Sequence, residues 1–243
     1  MNKNNVISVV RVVLGLLAWF LVYKLTARFI DIEWLSRVLG FALGTGAFLL
    51  ATLGMPRGDL TSRKAVAVTP AFLGKAFVVQ TGLACPCAFV INAMLVFTGH
   101  TPTGMMLDDI SGELVLWCLL LLIFHPVAEE ILFRKLVIER LSGLGVKGAV
   151  IASAVLFAVP HLYSQGVAQV PYTFALGLVW AYVYIKTGKL WPAVLLHTLS
   201  NLYGAFLPMV LGSIHQACSV LYVLFTFAVM LPCAIVLLVK NKW

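Results

Sequence analysis

His125-Pro-Val-Ala-Glu129-Glu130-Ile-Leu-Phe-Arg134 places two adjacent acids and an arginine inside one of the most apolar runs of the chain. A charged side chain at the centre of a membrane helix costs at least about 2.5–3.5 kcal/mol, so such residues normally face a protein-lined cavity and mark function. In a helix Glu130 and Arg134 share a face, whereas Glu129 lies roughly 100° away from Glu130. The spacing therefore predicts that Arg134 holds Glu130 ionised and leaves Glu129 free to exchange protons with a water or a substrate.

The composition around this stretch is that of a polytopic membrane protein. Of the 243 residues, 62% are hydrophobic and only 11% are charged, whereas soluble domains carry about 25% charged residues. Because a span needs about 20 apolar residues, the sequence predicts an all-α bundle of about eight transmembrane helices around an intramembrane polar cavity, in one domain over 1–243. The predicted spans are 6–23, 35–55, 72–98, 114–134, 146–164, 167–185, 190–208 and 217–239.

Basic residues concentrate in alternate loops between the predicted spans. These loops and the C-terminus contain Arg57, Arg63, Lys64, Lys75, Lys135, Arg140, Lys147, Lys186, Lys189, Lys240 and Lys242. The other loops contain Lys24, Arg28, Asp31, Glu33, Asp108, Asp109 and Glu113. Because cytoplasmic loops are enriched in lysine and arginine, we expect both termini in the cytoplasm and an integral protein of a bacterial cell membrane. The net charge of +8 is explained by these loops, so we expect the lipid bilayer and no nucleic acid as partner.

Two further polar pairs lie inside later spans. Phe157-Ala-Val-Pro-His161 places a histidine and an aromatic residue on one helical face, and His197-Thr-Leu-Ser-Asn201 does the same for a histidine and an amide. Taken singly, a histidine or asparagine in a membrane helix is as often a contact between helices as part of a site. A bundle that must enclose these pairs together with the acids most easily gathers them in one cavity.

The residue types limit the chemistry of such a cavity. It contains no serine or cysteine obviously paired with a base, so a covalent nucleophile is not favoured. A free carboxylate and two imidazoles suit activation of a water, and the remaining donors suit a developing oxyanion. Hydrolysis of an amide is therefore the predicted reaction class. His125 lies one turn before Glu129, but the following Pro126 favours a packing role for it.

Three motifs occur in a fixed order along the chain: Glu-Glu-x-x-x-Arg at 129–134, Phe-x-x-x-His at 157–161 and His-x-x-x-Asn at 197–201. This ordered set resembles the intramembrane proteases of the CAAX protease and bacteriocin-processing family, and the resemblance covers about 113–208. Lys135 departs from the family pattern, in which a glycine often follows the arginine.

The resemblance implies an endopeptidase whose site combines six residues with three roles. Those residues are Glu129 and His161 for activation of the water, His197 and Asn201 for stabilisation of the oxyanion, and Glu130 and Arg134 for ordering the site. Members of the family have been called metalloproteases, and others are described as metal-free glutamate proteases.

The cofactor prediction has two branches. Glu129, His161 and His197 could form a zinc site with an open fourth position. The usual short spacing of two histidines that flank a glutamate on one helix is absent, so we favour a site without a cofactor and keep zinc as the alternative.

The leading hypothesis is an intramembrane endopeptidase that acts on a membrane-associated or lipid-anchored peptide. One alternative is a non-catalytic immunity or scaffold protein that binds a peptide. The other is a proton-coupled transporter, because intramembrane acids and histidines also mark proton paths. A transporter needs no amide beside a histidine, and the chain shows no internal repeat, so hydrolysis is favoured. Prenylated tails, leader peptides, bacteriocins and signalling peptides all remain as substrates.

The depth of the site follows from helix length. At 1.5 Å per residue, Glu129 is expected near the cytoplasmic end of its span and His161 towards the outer side. The two can meet if the helices around 134–150 extend beyond the bilayer, so that the motifs converge in its inner half. We then expect the substrate to enter from the cytoplasmic side, past Lys135, Arg140, Lys147, Lys186 and Lys189.

Overall fold

The computed structural model describes residues 3–61, 65–102 and 114–240. The expectations that concern Arg63, Lys64, Asp108, Asp109, Glu113 and Lys242 lie outside the described residues. Within the described ranges the regular elements are all helical and no strand occurs, which confirms the all-α fold class.

Eight helices follow one another along the described chain. They are α1 Lys3–Phe29, α2 Glu33–Ala51, α3 Pro70–Phe97, α4 Leu114–Arg140, α5 Ser142–Gln165, α6 Gln169–Thr187, α7 Trp191–Ile214 and α8 Gln216–Val239. Seven of them are long and apolar enough to cross a membrane, and the protein is an integral membrane protein. The remaining helix, α6, is less apolar and packs against α3, α5 and α7, so much of its surface faces other helices.

The α2–α3, α4–α5 and α6–α7 loops meet at one end of the bundle, which we call the basic end. The amide of Gly58 donates to the carbonyl of Glu139 at 3.0 Å, and the amide of Val66 donates to the carbonyl of Lys186 at 2.9 Å. These contacts tie the three loops into one layer, and Arg57, Lys186 and Lys189 are among the bases at this end.

The α1–α2 and α5–α6 connections lie at the other end, which we call the mouth end. Here the Lys24 ammonium on α1 lies 4.3 Å from the ring centroid of Tyr163 on α5. Arg37 on α2 lies 4.7 Å from the ring centroid of Trp117 near the start of α4. The first turns of α2 and α4 and the last turns of α1 and α5 are therefore neighbours.

Helix α4 is longer than the predicted span of 114–134. It continues past 134, through Lys135, and ends at Arg140, which agrees with the expected helical extension beyond residue 134. The Arg140 guanidinium is buried, donates to the Thr52 hydroxyl at 2.7 Å and lies 5.1 Å from the Phe48 ring centroid. Because the helix extends to this contact, Glu129 lies about midway along α4 rather than near its end.

Proline residues account for most of the irregular turns. Three π-helical turns each end two residues before a proline: Leu120–Phe124 before Pro126, Leu202–Phe206 before Pro208 and Thr226–Met230 before Pro232. A proline has no amide hydrogen, so the widened turn redistributes the backbone hydrogen bonds upstream of it. A fourth π-helical turn, Ile131–Val137, has no proline and carries Arg134 next to the acidic pair.

Two glycines allow the close helix contacts that shape the central region. A Cβ atom on Gly44 would lie 2.8 Å from Cδ1 of Trp19, so α2 can approach α1 only with glycine there. A Cβ atom on Gly177 would lie 3.0 Å from Cα of Ala154 and 3.4 Å from Cδ1 of Phe157. The second contact brings α6 against the face of α5 that carries the Phe157 motif.

Candidate active site

Glu130 and Arg134 form a fully enclosed ion pair on α4. Nε of Arg134 lies 2.9 Å from Oε2 of Glu130, and both side chains are 0% exposed. The guanidinium also lies 4.6 Å from the ring centroid of Phe157 and donates to the Ser153 hydroxyl at 3.3 Å. Aromatic faces attract cations, so residues of α5 hold the Arg134 guanidinium in addition to Glu130.

His197 on α7 contacts both this ion pair and the ring of Trp180 on α6. Its Nδ1 lies 3.1 Å from Oε1 of Glu130, and its ring stacks on Trp180 with centroids 4.2 Å apart and an interplanar angle of 17°. A carboxylate only accepts hydrogen bonds, so Nδ1 carries a hydrogen. The ring orientation is thus fixed, and Nε2 is directed to the side of Glu129, where it lies 3.9 Å from Oε2.

A glutamine that the sequence analysis did not identify holds this stack in place. Gln80 on α3 is fully buried, accepts a hydrogen bond from Nε1 of Trp180 at 2.7 Å and donates to the carbonyl of Leu196 at 2.9 Å. Its amide therefore joins α3, α6 and α7 behind the His197 ring. The only signal in the sequence was an uncharged amide in an apolar span, which has no motif around it.

Replacing Gln80 with leucine should destabilise the protein. The change leaves the Trp180 indole N–H without its partner in a buried region and removes the side-chain hydrogen bond to the Leu196 carbonyl. An orphaned buried polar group costs about 1–3 kcal/mol, so we expect a clear loss of unfolding free energy in detergent. The exposed Gln216→Leu serves as the control. Equal stability of Gln80→Leu and the parent chain would contradict a fixing role for this amide.

Glu129 has different surroundings from its neighbour Glu130. One of its oxygens lies 3.2 Å from Nδ1 of His125, the other lies 3.9 Å from Nε2 of His197, and its side chain is 17% exposed rather than 0%. The structure thus brings His125 to the site, although the proline after it had favoured a packing role. Glu129 is the acid that faces the cavity, between two imidazoles.

His161 reaches the same cavity from α5. Its Nδ1 lies 2.8 Å from the carbonyl oxygen of Phe157, and its ring centroid is 4.8 Å from that of the Phe157 side chain. A carbonyl oxygen only accepts, so Nδ1 carries a hydrogen and Nε2 offers its lone pair to the cavity. His161 and Glu129 both line this space and are close enough to interact electrostatically.

Asn201 has a structural partner that the sequence did not indicate. Pro126 has no amide hydrogen to donate to a carbonyl of the preceding turn, and two side chains of α7 supply donors there instead. Nδ2 of Asn201 donates to the carbonyl of Leu121 at 2.7 Å, and the Thr198 hydroxyl donates to the carbonyl of Leu122 at 2.8 Å. A carboxamide nitrogen has two hydrogens, so one N–H of Asn201 remains for a ligand.

A cavity of about 1040 Å³ connects these residues and opens at the mouth end. Its walls include Glu129, His161, His197 and Asn201, and its rim includes Lys24 and Ser213. The opening is on the side of the bundle opposite to the one we expected. All five bases that were expected to ring the entrance are described, and none of them lines the cavity; they are Lys135, Arg140, Lys147, Lys186 and Lys189.

The described residues do not fit a three-ligand metal site. Within 3–61, 65–102 and 114–240, no three histidine, cysteine, aspartate or glutamate side chains are arranged so that they could hold one ion. Nδ1 of His197 faces Glu130 and Nδ1 of His161 faces a backbone carbonyl, so only the Nε2 atoms of the two rings are directed to the cavity. We therefore derive no step of the chemistry through a metal.

Comparison with known proteins identifies one family. Residues 111–203 match the family model described as type II CAAX prenyl endopeptidase, Rce1-like. The matched segment contains all three motifs, so the resemblance to the CAAX protease and bacteriocin-processing family is confirmed. No curated protein and no solved structure matches the chain.

Proposed function

We propose that Glu129 and His161 activate a water for peptide hydrolysis. Residues 111–203 match an Rce1-like domain of the CAAX protease and bacteriocin-processing family, and this match supports an intramembrane endopeptidase. The observation that carries this proposal is the contrast between two adjacent acids. Glu130 is enclosed in an ion pair, whereas Glu129 lies on the wall of a cavity large enough for a peptide. The substrate is a membrane-associated or lipid-anchored peptide.

The proposed reaction begins with a water between Glu129 and His161. The Glu129 carboxylate takes one proton from it, and the lone pair on Nε2 of His161 accepts its second hydrogen, so the oxygen is oriented towards the scissile carbonyl. Attack forms the C–O bond of a tetrahedral intermediate. As the C–N bond breaks, the protonated Glu129 returns its proton to the leaving amine, and the carboxylate is regenerated.

His197 and Asn201 are proposed to stabilise the oxyanion of this intermediate. Since Nδ1 of His197 donates to Glu130, a second donor at Nε2 requires the imidazolium form. Glu129 and Glu130 lie on either side of that ring and would balance its charge. The second N–H of Asn201 supplies the other donor. Donors held in place before the reaction are worth about 2.7–4 kcal/mol each in related oxyanion sites.

The direct test is a comparison of membrane peptides from cells with and without the chain, by mass spectrometry. A peptide bond that is cut only when the chain is present, and again by the purified protein in liposomes, is the expected result. A proton flux in the same liposomes that disappears in Glu129→Gln, without any cleaved peptide, would instead show a transporter and overturn the proposal.

We propose that hydrolysis needs no metal. Removal of divalent ions from the purified protein with a chelator should therefore leave the cleavage rate unchanged, and elemental analysis should find no stoichiometric metal. Among the described residues, no three histidine, cysteine, aspartate or glutamate side chains are arranged so that they could hold one ion. Near-stoichiometric zinc whose removal and return switch activity off and on would overturn this part.

A further inference from the structure

The two ends of the bundle differ in charge. The basic end carries Arg57, Lys75, Lys135, Arg140, Lys147, Lys186, Lys189 and Lys240, with Asp59 and Glu139 as acids. The mouth end carries Lys24, Arg28, Asp31, Glu33 and Arg37, and no lysine, arginine, aspartate or glutamate occurs between α5 and α6 or between α7 and α8, where His215 is the one titratable residue. Excess lysine and arginine in short loops retains those loops in the cytoplasm. The charge pattern therefore orients the mouth end away from the cytoplasm.

Among the residues that the structure describes, those that line the cavity extend to the mouth end and not to the basic end. All eight helices contribute to its lining, and the lining residues at the mouth end include Ser164 on α5, Gln169 on α6 and Ser213 on α7. Towards the basic end the path is closed by the buried pair of Glu130 and Arg134. The catalytic groups are therefore open to one side of the bundle.

Further layers of buried groups reinforce this closure. Beyond Arg134, the α4 side chains Val137 and Ile138 are fully or almost fully buried. Arg140 then contacts Thr52, and the loop after α2 bonds to the end of α4 through Glu139. A peptide that came from the cytoplasm would have to displace several of these contacts before it reached Glu129.

We propose that the substrate enters from the non-cytoplasmic side. This inference combines the charge difference between the two ends with the position of the cavity, and it rests on the peptidase activity proposed above. The substrate class is then a peptide or protein segment that is displayed at the outer leaflet, where it is held by an apolar or lipid anchor. A translocation step must supply such a substrate, because peptides are made in the cytoplasm. The chain thus acts after export.

The first test locates both ends of the bundle without any substrate. Single cysteines replace Ser213 at the cavity rim, Ala205 inside the cavity and Lys189 at the basic end, in a background with all five native cysteines changed to alanine. A membrane-impermeant maleimide added to intact cells should label Ser213→Cys and Ala205→Cys at least tenfold faster than Lys189→Cys. In inverted vesicles the order should reverse.

Labelling of Lys189→Cys from outside, with Ser213→Cys protected, would overturn the proposal, and equal labelling from both sides would do so too. These results do not depend on catalysis, so they leave the peptidase assignment standing. A second measurement uses the peptide found by mass spectrometry, made membrane-impermeant and lipid-anchored. It should be cleaved when added to intact cells and be spared in sealed inverted vesicles; the reverse preference would exclude an outward site. Absence of cleavage in both, and in detergent, would instead reject the peptidase itself.

Discussion

Replacing Glu129 with glutamine should lower the rate of peptide cleavage by about 10²–10⁴-fold, the range expected for loss of a general base. Glutamine keeps the size and polarity of the side chain but cannot take a proton from the water. Glu129 is partly exposed to the cavity, and its ion-pair partners in the part of the chain that the structure describes are histidines, so the neutral amide should not disturb folding. The measurement is turnover by purified protein in liposomes, together with its unfolding in detergent.

Two further variants place this prediction in context. His161→Ala should reduce turnover similarly, because it removes the lone pair that orients the same water. Glu139→Gln is the matched control, since this acid lies ten residues further along α4 at the basic end, away from the cavity. If Glu129→Gln kept turnover near that of Glu139→Gln, the assignment of Glu129 as the base would be wrong.

The sequence predicted which polar residues lie together better than it predicted where their cavity opens. Polar residues are costly in apolar spans, so the few that occur, such as Glu130, His197 and Asn201, were expected to converge on one cavity. The helix count followed from the same hydropathy. The paired face of Glu130 and Arg134 followed from helical periodicity, and the structure has that ion pair at 2.9 Å.

Other features depended on contacts between distant segments. Gln80 and Trp180 carry no motif, and their bond joins residues a hundred positions apart. The hydrogen bond from Asn201 to Leu121 arises because a proline on another helix leaves a carbonyl free. Neither hydrogen bond can be predicted from the residue pattern of a single span.

The direction of the opening shows most clearly what was missing. The bases near 134–150 and at 186–189 were expected to ring an entrance because the motifs were expected to converge in the cytoplasmic half of the bilayer. In the fold, Arg140 is 1% exposed and packs against Thr52 and Phe48, so it closes the bundle instead. Loop charge indicates the side of the membrane on which an end lies. It does not indicate at which end the cavity opens, because the packing of the eight helices determines that.

Breaking the pair of Glu130 and Arg134 should produce the largest loss of stability. Both side chains are 0% exposed, so Arg134→Met leaves a buried carboxylate whose remaining partner is His197. Removal of one partner of a buried ion pair costs about 3–5 kcal/mol. We expect unfolding at markedly lower denaturant concentration in micelles, with reduced expression. The exposed Lys135→Met, one position along the same helix, should unfold like the parent chain.

The double variant Glu130→Gln with Arg134→Met separates stability from chemistry. It removes both charges, and the glutamine carbonyl can still accept a hydrogen bond from Nδ1 of His197. Because replacement of a whole buried ion pair is often close to neutral, most of the lost unfolding free energy should return. Turnover should nevertheless stay low, because a neutral acceptor no longer balances an imidazolium at His197. Unfolding of the double variant as early as Arg134→Met would contradict the ion-pair explanation. Recovery of turnover together with stability would mean that the pair supports the fold alone and has no part in holding His197 for the oxyanion.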